Sequence, residues 1–332
     1  MGELLSPSRT TRSPRGTRPL SITVVIPTYN RAELCLEAVN TALDQTCPPS
    51  EVIVVDDGST DSTPDLFKDA KPPVRYLRQE NAERAAARNR GIREAGGDLI
   101  AFLDSDDRWD PHHLELSQAA LAAHPNAALA FGRAAYTAPD GRVLWEAPSP
   151  PIEAGQCDDA VPSLTAKGIG FPLSTVVARR EVLTENPFNE DRLLSRSEDW
   201  ELWIRISARH PVVATGEVTA FLRMHEGNTS QDAAAVGEAM KRALSYVLDD
   251  PVAGPKVAEH KDSIGDAMEV EIARLELKAG DRAAARRRLK TLARPTPESR
   301  RLEFTLWVPV PIAGLARRLR RILAARKSME PK

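Results

Sequence analysis

The sequence has few cysteines and no long hydrophobic run. Its three cysteines, Cys35, Cys47 and Cys157, are far apart and form no CxxC pair, so neither a disulfide framework nor a zinc site is indicated. No stretch of about 18 apolar residues occurs, and the Arg- and Ser-rich start has no apolar run typical of a signal peptide. We therefore expect a protein of the reducing cytoplasm without a membrane-spanning helix.

Two glycine-rich nucleotide-binding patterns are also absent. No GxGxxG follows the first predicted strand, which disfavours a dinucleotide site, and the lack of GxxxxGK[ST] excludes the P-loop ATPases. The chain does contain 42% hydrophobic and 28% charged residues among its 332 positions. This composition supports a large buried core and excludes a wholly disordered or fibrous protein.

Charge is distributed unevenly, although the formal net charge is only −2. Residues 282–332 contain 15 Lys and Arg against 3 Asp and Glu, whereas the body of the chain is acidic. Within 307–327, apolar residues recur at helical spacing, with arginines on the other faces. Such a helix suits an anionic membrane surface at the cytoplasmic face, and it suits equally well a helix packed on the body. With few aromatics among the basic residues, no nucleic-acid partner is expected.

The sequence divides into three regions. Residues 1–20 are rich in Ser, Thr, Arg and Pro and predict a flexible basic arm. Across residues 21–230, short β-branched runs alternate with helix-compatible segments. This alternation predicts an α/β fold with a mainly parallel sheet, right-handed crossovers and flanking helices. Residues 231–332 are rich in Ala, Arg and Glu and predict a helical region with a turn at Gly280.

Polar loops follow three of the predicted strands, namely PTYN (27–30), DDGSTD (56–61) and DSDD (104–107). Ligands of such sheets bind beyond the carboxyl ends of the strands, so we expect these loops to form one site. Aspartates gathered at one sheet edge repel one another, which indicates a bound divalent cation such as Mg²⁺ or Mn²⁺. Taken singly, each acidic loop also fits an ordinary turn or a helix cap.

Two further motifs have a functional and a structural interpretation. Arg223 and His225 stand two residues apart at the end of a predicted strand and share a face, an arrangement suited to a diphosphate and its metal. A single histidine is more often structural. SEDW (197–200) opens a predicted helix, so its acidic residues either cap that helix or supply a general base to the cleft.

Six motifs in this order resemble the family 2 glycosyltransferases of the GT-A fold: VVIPTYNR, VDDGSTD, ARNRGI, FLDSDDRWDP, EDWELW and RMHEGNTS. The resemblance covers residues 22–230. It implies a nucleotide-diphosphate sugar donor, a divalent metal and a single displacement that inverts the anomeric configuration. It implies transfer to a hydroxyl of a glycan, a lipid-linked molecule or a small molecule.

The resemblance also implies roles for single residues. Asp199 matches the carboxylate that deprotonates the acceptor hydroxyl. Asp106 matches a metal-binding position, and His225 matches a position that contacts the diphosphate or metal. The positions implied to bind the donor are Pro27, Thr28, Tyr29, Asp57, Asp104 and Arg223.

The sequence departs from the family pattern at Glu83, where the family often has Gly two residues after an Asn, here Asn81. The processive QxxRW signature is absent, which favours transfer of one sugar per encounter. Two alternatives remain open. A sugar nucleotidyltransferase would share the fold, but this sequence lacks the Gly-rich loop expected after the first strand of such an enzyme. A non-catalytic nucleotide-sugar or nucleic-acid binding module would not need Asp199.

Overall fold

The structure is a computed structural model that describes residues 19–307, apart from 148, 151, 159, 162–163, 165–170, 225–231 and 294. Three sequence predictions therefore lie wholly or largely outside the described residues: the basic arm, His225 and the basic segment from residue 308 onward.

Ten strands are described, and they form one sheet in the order β3-β2-β1-β4-β9-β6-β10-β5, with β7 paired to β6 and β8 paired to β10. Their bounds are β1 Ile22–Thr28, β2 Glu51–Asp56, β3 Val74–Arg78, β4 Leu99–Phe102, β5 Arg108–Trp109, β6 Leu129–Thr137, β7 Val143–Glu146, β8 Cys157–Asp158, β9 Val176–Arg179 and β10 Val212–Arg223.

Eleven α-helices are described. Their bounds are α1 Ala32–Leu43, α2 Thr63–Phe67, α3 Glu83–Glu94, α4 His113–Ala123, α5 Arg180–Glu185, α6 Glu198–Ser207, α7 Ala233–Asp249, α8 Ala253–Ala258, α9 Lys261–Lys278, α10 Arg282–Leu289 and α11 Pro297–Trp307. Short 3₁₀ turns at Leu173–Thr175 and Arg192–Leu194 precede β9 and α6.

Strands β1 to β4 pair in parallel, as the alternation of strands and helices predicts. All seven residues of β1 are buried because helices cover both faces of the sheet. Val25 packs in a cluster with α3, whereas Val24 and Ile26 pack in a second cluster with α1. The predicted α/β fold is therefore confirmed, and the carboxyl ends of these strands meet at one edge.

The second half of the sheet is mixed. Strand β9 runs antiparallel between β4 and β6, while β6 and β10 are parallel to each other. β6 and β7 form an antiparallel hairpin whose turn contains Gly141 at φ +85°. The distant segment around β9 therefore links the first four strands to the rest.

All described elements from residue 233 onward are helices. Ala243 and Val247 of α7 belong to the same buried cluster as Trp203 of α6, so this layer shares a core with the sheet. Helices α9 and α10 meet at a turn containing Gly280, as predicted, at φ +93°. None of the described helices is long and apolar enough to cross a membrane.

Candidate active site

The loop after β4 brings three carboxylates together. Asp104, Asp106 and Asp107 each place one oxygen within 4.8 Å of the other two. The loop is tightly turned, since the Asp107 amide donates to the Asp104 carbonyl at 3.0 Å. All four residues of strand β4 are buried, and the acidic side chains that follow the strand lie at its carboxyl end, at the edge of the sheet. The predicted acidic site is therefore one compact cluster.

Asp107 holds this loop in place. Its carboxylate accepts a hydrogen bond from the Ser174 hydroxyl at 2.6 Å and one from the Arg223 amide at 3.2 Å. Burial, together with the negative charges of Asp106 and Asp104, raises the pKa of Asp107 well above its usual value. The loop is thus tied to both β10 and the turn before β9.

Arginines supply part of the positive charge at this edge. Arg31, just before α1, donates to Asp106 at 2.8 Å. Although burial acts to raise it, the charges of Arg88, Arg84 and Arg31 hold the pKa of Asp104 below its usual value. The repulsion between these aspartates, from which the sequence predicts a bound cation, is thus partly relieved by the protein's own arginines.

Arg88 of α3 lies between two acidic groups. It is 2% exposed and donates to Asp104 at 2.8 Å and to Glu198 at 2.6 Å. Its guanidinium also lies 5.4 Å from the centre of the Phe188 ring. One buried arginine therefore connects the loop after β4 with the start of α6.

Asp199 follows Glu198 in the first turn of α6 and is partly exposed. Its Oδ1 accepts from the Trp200 amide at 2.8 Å. Burial, and then the negative charge of Glu198, raises the pKa of Asp199 to about 7, with a smaller contribution from Asp104. A carboxyl group with this pKa is suited to accept a proton near neutral pH.

The loops after β1 and β2 lie side by side. The side-chain oxygen of Asn30 accepts a hydrogen bond from the Thr60 backbone amide at 2.7 Å. The Asn30 backbone amide donates to the Ser59 hydroxyl at 2.9 Å. Pro27 and Thr28 are buried at the end of β1, whereas Tyr29 is 48% exposed. The exposed ring is thus available to a ligand.

Asp57 is 4% exposed and has partners within the chain. It accepts from the Gln79 side chain at 2.7 Å and from the Ala82 amide at 2.9 Å. Burial raises its pKa although these hydrogen bonds oppose the shift. Gly58, Arg78, Gln79, Glu80 and Asn81 line an open cavity of about 550 Å³ beside it. Asp57 therefore also anchors the start of α3 beside this open cavity.

Arg223 lies at the end of β10, and its amide contacts Asp107. Its guanidinium pairs with Glu37 of α1 and donates to the Pro139 carbonyl at 3.4 Å. The structure thus brings Arg223 to the acidic cluster through its backbone and directs its side chain to α1. His225 lies outside the described residues.

Five residues make contacts at this site that the sequence alone does not predict. They are Arg31, Arg88, Asp107, Ser174 and Glu198. Arg31, Arg88 and Glu198 belong to the quoted motifs, but spacing along the chain does not reveal which charges pair. Ser174 comes from a segment 70 residues beyond Asp104, so only folding places it there.

Residues 23–170 match the family described as glycosyl transferase family 2. The chain carries a family 2 glycosyltransferase domain. A relative from Rickettsia felis, described as an uncharacterized glycosyltransferase, is 31% identical over 242 residues, which cover 69% of this chain. The match covers 37% of that relative, so the chain spans little more than a third of its length.

Solved glycosyltransferases share the fold of this domain. An S. aureus TarS structure in complex with UDP-GlcNAc has a TM-score of 0.59 and 18% identity, covering 82% of each chain. The mannosyltransferase PcManGT from Pyrobaculum calidifontis, in complex with GDP-Man and Mn²⁺, has a TM-score of 0.56 and 18% identity. That match covers 87% of this chain and 80% of PcManGT. These likenesses confirm the GT-A fold that the motifs imply.

The acidic cluster of the glycosyltransferase domain fits a hard divalent cation. Its candidate ligands are all carboxylate oxygens, the type that Mg²⁺ and Mn²⁺ prefer. Burial is the main cause of the raised pKa of Asp107, and the negative charges of Asp106 and Asp104 add to it; a cation would reduce the repulsion between these charges. Asp104, Asp106 and Asp107 are therefore the described residues able to hold a metal.

Proposed function

We propose that the protein is an inverting glycosyltransferase that moves one sugar from a nucleotide-diphosphate sugar to an acceptor hydroxyl. The observation that carries this proposal is the pairing of an acidic cluster with Asp199. Arg88 contacts both Asp104 and Glu198, so Asp199 lies one residue from a group tied to that cluster. This connection supports a leaving-group site and a base that act on the same substrate.

Asp199 acts as the general base in this proposal. As the acceptor oxygen forms its bond to the anomeric carbon, the hydroxyl proton passes to the Asp199 carboxylate. The bond between the anomeric carbon and the diphosphate oxygen breaks, and the nucleoside diphosphate leaves with that electron pair. Because attack and departure occur on opposite faces, one displacement inverts the configuration. A pKa of about 7 suits this proton transfer.

The donor occupies the edge formed by the loops after β1, β2 and β4. The exposed Tyr29 ring, with Pro27 and Thr28 behind it, offers a surface for the base. Asp57, whose Oδ1 receives hydrogen bonds from Gln79 and Ala82, is proposed to accept an imide N–H of the base. Asp104 binds the ribose.

Metal binding belongs to Asp106 together with its two neighbours in the cluster, and His225 is a further proposed ligand. A divalent cation there would stabilise the negative charge of the departing diphosphate. Arg223 is proposed to contact the diphosphate, which requires its guanidinium to exchange Glu37 for the ligand. Relatives of the fold with UDP-GlcNAc, or with GDP-Man and Mn²⁺, support a nucleotide-sugar donor and a metal.

The first test is a thermal-shift panel of UDP, GDP and dTDP sugars in Mn²⁺, Mg²⁺ or EDTA. We expect one nucleotide to stabilise the protein when a divalent metal is present. Asp106→Asn should remove the metal-dependent part of the shift because it removes a carboxylate ligand. Asp69→Asn, on an exposed turn after α2, is the matched control. No shift with any donor would overturn the proposal, and an equal shift in EDTA would reject the metal.

A further inference from the structure

The buried ion pairs of Arg88 extend the proposed function. We propose that Arg88 is a positioning residue that couples the donor side of the site to its base, by holding Asp104 and Glu198 at once. The inference rests on the proposed function, because it concerns how the donor side of that site is positioned relative to the base.

The first support is geometry. The two terminal nitrogens of Arg88 donate to different carboxylates, at 2.6 Å to Glu198 and at 2.8 Å to Asp104. These residues belong to separate segments, the loop after β4 and the start of α6. A planar guanidinium fixes the angle between two such bonds, whereas an ammonium group does not.

The second support is burial. Arg88 and Glu198 are 2% and 3% exposed, so the pair is removed from solvent. Burying such a pair costs free energy and is a weak source of stability. A packed apolar pair would fill this space at lower cost. The arrangement is better explained by the orientation that it gives to neighbouring groups.

The third support is the segment that leads to Asp199. Glu198 also accepts the Arg196 amide at 2.6 Å, where Arg196 adopts φ +92°. A non-glycine residue in this left-handed region is strained, and the hydrogen bond to Glu198 helps to hold it there. Arg88 therefore acts through Glu198 on the turn that begins α6. Asp199 is the next side chain on that turn.

The variants that test this are Arg88→Lys, Arg88→Gln and Glu198→Gln. Arg93→Gln is the matched control, because it removes an arginine from an exposed position of the same helix. For each we would measure the melting temperature and the dissociation constant of the nucleotide sugar selected by the wild-type panel. We would also measure release of nucleoside diphosphate from that donor with water as the acceptor.

Arg88→Lys should fold and yet lose about 10- to 100-fold in turnover, because one ammonium cannot hold both carboxylates in place. Glu198→Gln should weaken donor binding although Glu198 lies on the base side, since Arg88 is then less well anchored. In an Arg88→Gln background, Glu198→Gln should have no further effect on donor affinity. Arg93→Gln should resemble the wild type.

Two results would overturn the inference. One is a folded Arg88→Lys protein with wild-type donor affinity and turnover, which would make Arg88 a structural residue only. The other is unchanged donor affinity in Glu198→Gln, which remains measurable even if the Arg88 variants do not fold. If the wild-type protein binds no nucleotide sugar, the proposed function itself fails, and that outcome is distinct from both.

Discussion

At the scale of single residues, the environment of Asp199 sets its chemistry. Burial and the neighbouring Glu198 both disfavour the charged form, whereas Arg88 favours it, and the pKa settles at about 7. An exposed aspartate would have a pKa near 4. Such a group would be a much weaker base in a transfer reaction near neutral pH.

This pKa predicts the pH dependence of transfer. Only the deprotonated carboxylate accepts a proton, so turnover should fall as pH drops below about 7 and level off above it. Asp199→Asn should lower turnover by about 10²- to 10⁴-fold and leave donor binding intact, because the amide cannot act as a base. Steady-state rates across pH check both. A flat profile through neutral pH, or near-normal turnover of Asp199→Asn, would remove Asp199 from this role.

Glu83 shows a second effect at the residue scale. It adopts φ +72° at the start of α3, a region that favours glycine. This is the position at which the family often has Gly. The strained backbone presents the start of the helix to Asp57, which accepts the adjacent Ala82 amide.

Replacing Glu83 with Gly should relieve this strain. We expect Glu83→Gly to raise the free energy of unfolding by up to about 1 kcal/mol, because the left-handed region costs other residues roughly 1–2 kcal/mol. Part of that gain is offset by the greater freedom of Gly in the unfolded chain. Glu80→Gly, exposed and without a positive φ, is the control and should destabilise. Urea unfolding measures the free energy of unfolding of both variants. An equal loss of stability in the two would show that the backbone at Glu83 is not strained.

At the scale of elements, the close approach of α3 to β1 positions Arg88. A side-chain carbon at Gly91 would lie 2.3 Å from Cγ1 of Val25, far inside contact distance. Only a residue without Cβ allows the helix to lie this near the strand. The same helix presents Arg88 and Arg84 to the carboxylates at the sheet edge.

Gly91→Ala should therefore destabilise the protein by about 1–3 kcal/mol, because overpacking outweighs the better helix propensity of Ala. The control is Gly265→Ala in the interior of α9, where no atom lies within 4 Å of the added carbon. That variant should be neutral or stabilise by up to about 1 kcal/mol. Thermal unfolding of the two proteins measures the contrast. Equal changes in stability for the two variants would show that α3 is not closely packed on Val25 at Gly91.

At the scale of the whole molecule, part of the basic C-terminal region serves the fold. Arg288 of α10 pairs with Glu269 and with Glu276 of α9. Arg282 and Arg286 donate to the Leu306 carbonyl of α11. These arginines are therefore engaged within the helical layer. We propose that the basic residues beyond 307 make the membrane contact that the sequence analysis expects.

We predict that deleting residues 308–332 releases the protein from vesicles containing anionic lipid and leaves donor binding unchanged. Replacing Arg317, Arg318, Arg320 and Arg321 with Gln should have a similar effect at full length, since each basic residue near such a surface contributes about 1 kcal/mol. Co-sedimentation with anionic and with neutral vesicles measures this. Equal sedimentation of all forms would show that the segment does not bind lipid.

The sequence by itself determined the alternation of strands and helices, because hydrophobic periodicity is a local property. It also determined the acidic loops and their place at one sheet edge, since the carboxyl ends of parallel strands meet there. Glu83 was identified as a departure from the pattern of the family that the sequence resembles. These features can be recognised from short segments of the sequence and the general rules of α/β folds.

Only the tertiary structure decided which charges meet. Arg88 and Glu198 are 110 residues apart, and Asp107 and Ser174 are 67 residues apart. The antiparallel insertion of β9 that brings Ser174 to the cluster depends on long-range pairing. The direction of the Arg223 side chain toward α1, and the raised pKa of Asp199, likewise arise from burial and charge that exist only after packing.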